Sequence, residues 1–192
     1  MSTDDDKRYG NGFDQNRKEW ADTLKGKARQ MLQEYYGVPE RQIVNNENET
    51  DGEYDSSTLD STQILDYGGV DWLVQTDNRI IPVGERVRKN GGEFSIRTDN
   101  ANSKPCEVEL IPNAIKNGGL YPHHYLYIQR DGFTFDKAWL MDTRLLMGNI
   151  DIGNIRVKYS GKNDDGTGYK IFNNQDIIDS GCVLETWGMD NE

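Results

Sequence analysis

Residues 70–97, VDWLVQTDNRIIPVGERVRKNGGEFSIR, concentrate charge in a stretch that otherwise alternates like a small sheet. Asp71 stands where a strand begins. Glu85, Arg86, Arg88 and Lys89 crowd the next one, and Arg97 closes a third. Carboxylates are the ligands of hard divalent cations, and Mg²⁺ keeps several waters and needs only one or two of them. Guanidinium groups clamp phosphates through planar, bidentate hydrogen bonds. Such a set suits chemistry at a phosphate ester, where a metal ion lowers the pKa of an attacking water and stabilises the departing alkoxide.

The elements that must position these residues are legible in part. GVDWLVQ, RIIPVGERVRK and EFSIRT are rich in β formers and are separated by TDN and NGG, so they read as three strands of an antiparallel meander. Pro82 removes one ladder donor, which calls for an edge or a bulge. Ahead of them, Trp20, Leu24, Ala28, Met31, Leu32 and Tyr35 recur at helical spacing. Asn16 with Glu19 reads as a capping box and Gly37 as the stop. PCEVELIPNAIKNGG reads as a helix opened by Pro105, kinked or split by Pro112 and closed by Gly118. HHYLYIQRDGFTFDKAWLMD reads as a hairpin turning at RDG, and TRLLMG as a short helix. The remainder is mixed strand and loop without a legible order. One helix before a sheet and one after it cover both faces, so the expected fold is α/β, a three-layer sandwich on a central mixed sheet.

Length fits one domain: 192 residues, with an acidic tail over 1–13, a single domain over 14–192 and a long polar loop over 44–63. The net charge is −11. That figure does not exclude nucleic acid, because a basic site can sit on an acidic body. The excess of Asp over Glu resembles the style of proteins from salt-loving organisms. Cys106 and Cys182 lack metal-ligand spacing and read as reduced thiols. The polar start is unlike a signal peptide, and no apolar run reaches the ~20 residues of a membrane span. The expected location is therefore cytoplasmic, with no membrane partner.

The order αβββαβ, with GGVDWLV, PVGERVRK and FSIR at its strands, resembles the PD-(D/E)xK, or restriction-endonuclease-like, nuclease superfamily, in particular its small phage-type and resolvase-like members. The later strand pair and short helix are similar to those that close such domains, and the resemblance spans about residues 14–148. It implies a metal-dependent DNA endonuclease using Mg²⁺ or Mn²⁺. Asp71 and Glu85 would be the metal carboxylates and Arg86 the catalytic cation. Arg88, Lys89 and Arg97 would contact nucleic acid, and Glu19 would be a third acid from the first helix. It also makes a homodimer one expectation, although no dimer patch is legible.

The sequence departs from that pattern at one point. The family places its acid and a lysine two residues apart, on one face of the strand. Here Val87 stands two after Glu85, so in a regular strand Gly84, Arg86 and Arg88 share one face while Val83, Glu85 and Val87 share the other. A bulge at residues 82–84 would shift the phase. Arginine is also too basic to act as a general base. The alternative is therefore a catalytically inactive nuclease-fold module, of the kind viral or mobile elements carry, that binds nucleic acid or a protein. His123 and His124 are adjacent on a strand and face opposite ways, so they do not chelate one ion. Tyr125 and Tyr127 share a face and read as core.

Overall fold

A computed structural model describes residues 11–45, 69–89, 92–99, 107–131, 134–162 and 166–188, without the side chains of 11–22, 89 and 99. Helix α1 runs Asn11–Tyr36, so it starts before Asn16. Asn16 is thus inside the helix and is not its N-cap, and residues 11–13, expected as tail, are helical. Leu24, Ala28, Met31 and Leu32 form its buried stripe. Gly37, at φ 64°, ends it as expected, with its N–H on the Gln33 carbonyl at 2.9 Å.

Six strands form the central sheet, in the order β1-β2-β3-β5-β6-β9. They are β1 (Ile43–Asn45), β2 (Trp72–Gln75), β3 (Ile80–Lys89), β5 (His124–Asp131), β6 (Thr134–Asp142) and β9 (Val183–Trp187). β1, β2 and β3 pair antiparallel, β3 and β5 parallel, so the sheet is mixed. The meander therefore exists, but its third member is β1, whose last two residues, Val44 and Asn45, fall in the segment expected to be a polar loop. The EFSIRT segment becomes β4 (Ser95–Asp99), which leaves β3 and pairs with β8 (Gly168–Phe172). β8 also pairs with β7 (Val157–Lys162), which makes a second, three-stranded sheet. The reason lies in side-chain demand: Phe94 and Ile96 must be buried, and they insert beside Phe172 over the face of the large sheet.

Helix α2 (Glu107–Asn117) crosses from β4 back to β5, α3 (Thr143–Asp151) follows β6, and α4 (Asn174–Asp179) precedes β9. Pro112 lies inside α2 without splitting it, and Gly118 ends it at φ 72°. The β5–β6 hairpin and α3 match the sequence reading. Pro82 is where β3 has β2 on one side and the β5 ladder has not begun, a local edge.

Alternation along β5 divides the core. Leu126 and Ile128 face α1 with Trp72, Val74, Ile81 and Val83. Tyr125 and Tyr127 face α2, α3 and the small sheet with Phe94, Ile111, Trp139 and Phe172. Burial on both faces explains the nearly continuous apolar run. The Gly92 carbonyl accepts from Tyr127 Oη at 2.6 Å, Asn174 Nδ2 at 3.2 Å and the Gln129 amide, which ties the small sheet's edge to the large one. Among the described residues, no helix is long and apolar enough to cross a membrane.

His124 stacks on Tyr36, with ring centroids 5.8 Å apart, and the Tyr36 hydroxyl bonds His124 Nδ1. Burial, with His123 and Arg79 nearby, lowers its pKa to about 4 against the opposing pull of Asp142. The folded state thus keeps His124 neutral while the unfolded chain protonates near its ordinary value. The resulting stability is complete above that ordinary value and is lost as pH falls toward 4. Urea titrations of wild type and His124→Gln should show wild type losing roughly 2–3 kcal/mol more between pH 7 and 4.

Candidate functional site

β3 outruns β2. Their register runs unbroken from Gln75↔Ile80 to Trp72↔Val83, after which β3 continues alone on that side through Lys89, paired only with β5. A cleft opens where β2 falls short, and Asp71 sits at its corner, with its N–H on the Val83 carbonyl at 3.0 Å. Neither ladder of β3 contains a bulge, so the regular-strand phase holds. Gly84, Arg86 and Arg88 face the cleft side, whereas Glu85 shares the α1 side with Val83 and Val87.

Arg86 is the centre of the site. Its Nη2 pairs with Glu107 Oε1, its Nη1 lies 3.9 Å from Asp71 Oδ2, and Nη1 also donates to the Glu85 carbonyl at 2.6 Å. The guanidinium stands 5.6 Å from the centre of the Tyr125 ring. Both partners are largely buried, so this is a low-dielectric pair that depends on its hydrogen bonds. Glu107, the first residue of α2, is only 9% exposed, and its other oxygen accepts the Arg97 N–H at 3.2 Å. Asp71 Oδ2 accepts the Glu85 N–H at 2.5 Å, which fixes the carboxylate against the strand. The resulting cleft holds about 250 Å³ and is lined by Asn45, Gly69, Asp71, Glu85, Arg86, Val87, Arg97 and Glu107.

A second hollow of about 490 Å³ continues along β3 toward the small sheet, sharing Glu85, Arg86, Val87 and Arg97 and adding Arg88, Ser95 and Tyr169. Arg88 donates to the Ser95 hydroxyl. Burial lowers the Arg88 pKa, and Arg86 and Arg97 push it down further. Three guanidinium groups thus line one trough.

The structure brings Asp71, Arg86, Arg88 and Arg97 to one continuous cleft. Glu85 lines it too, but its carboxylate accepts from the Trp72 indole at 2.7 Å, and Trp72 belongs to the α1-side core. Lys89 closes β3 opposite Arg130, with its side chain outside the described residues, as is that of Glu19. Glu107 is the residue the sequence reading missed. In sequence it looks like an ordinary first-turn helix acid, and only the crossover of α2 sets it against Arg86. His123 lies beside Tyr121 and His124 beside Tyr36, so the two rings do go separate ways. Tyr125 and Tyr127 are core.

No protein-family model matches the chain, and no curated protein is significantly similar to it. The chemistry of the cleft therefore rests on its own donors. Hard carboxylate oxygens from Asp71 and Glu107 flank a position now filled by a guanidinium, and this donor set is of the kind that suits Mg²⁺.

Gly84 keeps the floor of the cleft open. A Cβ there would meet Tyr125 Cε1 at 2.5 Å and the Gly69 carbonyl at 2.9 Å. Gly84→Ala is expected to lower stability by about 1–3 kcal/mol, measured by chemical denaturation, because the clash is with packed ring and backbone. An unchanged midpoint would contradict this packing.

Proposed function

We propose that the chain is a metal-dependent nuclease-like protein that lays a DNA phosphodiester backbone into the cleft along β3 and hydrolyses it. The observation that carries this reading is the convergence of Arg86, Arg88 and Arg97 on one trough beside the Asp71 carboxylate. The topology supports a PD-(D/E)xK-like core: α1, the antiparallel β1-β2-β3, then α2 crossing to a parallel β5, with Asp71 at the start of the second strand.

In this reading Arg88 and Arg97 grip the phosphate backbone, and Arg86 faces the charge that builds on the reacting phosphate. Asp71 would hold Mg²⁺ or Mn²⁺, which when bound supplies an activated water and a counter-charge for the leaving oxygen. Glu85 acts here through its main chain, whose N–H orients Asp71. No arginine removes the water's proton, since guanidinium does not give up its own.

A second reading has its own observation: Arg86, the cation nearest the position of the family's lysine, is paired with two carboxylates. That arrangement also suits a module that binds DNA without cutting it.

Cleavage of single-stranded, duplex and branched DNA with Mg²⁺ or Mn²⁺ separates the readings. Cleavage that falls at least about 100-fold in Asp71→Ala supports the enzyme. Undiminished cleavage in that variant, or none in wild type, overturns it, and salt-dependent binding without cleavage selects the binding module. Arg88→Ala and Arg97→Ala should each weaken DNA binding and reduce the log–log salt slope by about 1.

A further inference from the structure

The cleft holds two carboxylates on its open side, and they are not the two that the resemblance implies. Glu85 follows the phase of Val83 and Val87, and its carboxylate is committed to the Trp72 indole at 2.7 Å. Glu107 instead enters from the start of α2 and pairs with Arg86 Nη2, while Asp71 lies nearest Nη1. One guanidinium thus contacts both acids. A divalent cation in its place would balance both carboxylates and release the arginine.

A third group points to the same spot. The Tyr125 side chain is fully buried, and its hydroxyl has the Arg86 guanidinium beside it without a well-aligned hydrogen bond. Burial raises its pKa, with Arg86 opposing that rise. The hydroxyl looks toward the cleft beside Gly69: a Cβ built on Gly69 would lie 3.7 Å from it and 3.9 Å from Glu107 Oε1. Buried hydroxyls in folded proteins are normally satisfied. A metal-bound water or a phosphate oxygen seated between Asp71 and Glu107 would give this one a well-aligned partner.

We infer that Glu107, rather than Glu85, completes a divalent-cation site with Asp71, and that Arg86 is the cation resident there until metal and phosphate arrive together. The inference rests on the reading of the cleft as a phosphodiester site. Metal and substrate then favour each other. The metal takes the carboxylates from Arg86, and the phosphate takes Arg86 from the carboxylates, a coupling that must be reciprocal.

Mn²⁺ binding to the full chain, followed by calorimetry and by the spin-resonance signal of free Mn²⁺, tests it. Glu107→Gln should weaken Mn²⁺ about 10-fold or more, whereas Glu85→Gln should leave it within about 3-fold of wild type. Arg86→Met removes the resident cation, so it should tighten Mn²⁺ about 10-fold, and adding Glu107→Gln should abolish the gain. Melting curves with and without Mn²⁺ keep the test readable for a destabilised variant, because Mn²⁺ should raise the melting temperature of Arg86→Met more than that of wild type. Three results overturn the inference: no Mn²⁺ binding by wild type at millimolar concentration, weakening by Glu85→Gln and not by Glu107→Gln, or no gain in Arg86→Met. DNA cleavage by the same wild-type sample decides the nuclease reading separately. Cleavage with a normal Mn²⁺ affinity in Glu107→Gln would sink the role of Glu107 alone.

Discussion

A guanidinium clamped between two carboxylates is the contact on which this architecture turns. Arg86, from the middle of β3, reaches Glu107 at the head of α2 and Asp71 at the entrance to β2. Two ion pairs through one arginine therefore link the crossover helix, the central strand and the strand entrance. Removing one partner of a buried pair typically costs about 3–5 kcal/mol, because the survivor stays buried without a counter-charge. The neighbouring features follow from that demand. Gly84 clears the Tyr125 ring beneath the guanidinium, and the Glu85 N–H holds Asp71 in place.

Under the proposed function, the same contact would let an acidic protein address an acidic polymer. The chain carries −11 overall, yet Arg86, Arg88 and Arg97 line one trough where β3 runs beyond its neighbour. Low-dielectric walls focus that local positive field, whatever the sign of the distant surface. Asp71 and Glu107 temper it, so the trough is amphoteric at its floor and basic along its length. A phosphodiester with a divalent cation has that pattern of charge.

Periodicity and end signals made the local elements legible. Leu24, Ala28, Met31 and Leu32 gave α1, Gly37 and Gly118 gave two helix ends, and the RDG turn gave the β5–β6 hairpin. The alternation of β3 put Glu85 with Val83 and Val87 only for a regular strand and left a bulge at 82–84 open, and the unbroken ladders decide for the regular phase. Pairing across long distance was not legible. β4 looks like the hairpin partner of β3, but the period of a strand specifies its faces and not its neighbour. Its apolar face found β8, some seventy residues later. β1 is three residues long, too short for a pattern to register. Glu107 escaped notice for the same reason as β8: its meaning depends on a crossover that brings α2 over β3.

The most direct test of this account is a crystal soaked in Mn²⁺ with a short DNA strand, read by the anomalous signal of the metal. The account predicts a peak within about 2.3 Å of oxygens from both Asp71 and Glu107, with Arg86 turned from them onto a phosphate. A metal held by Glu85 on the α1 side, or an Arg86 still locked to Glu107 with DNA bound elsewhere, would contradict it.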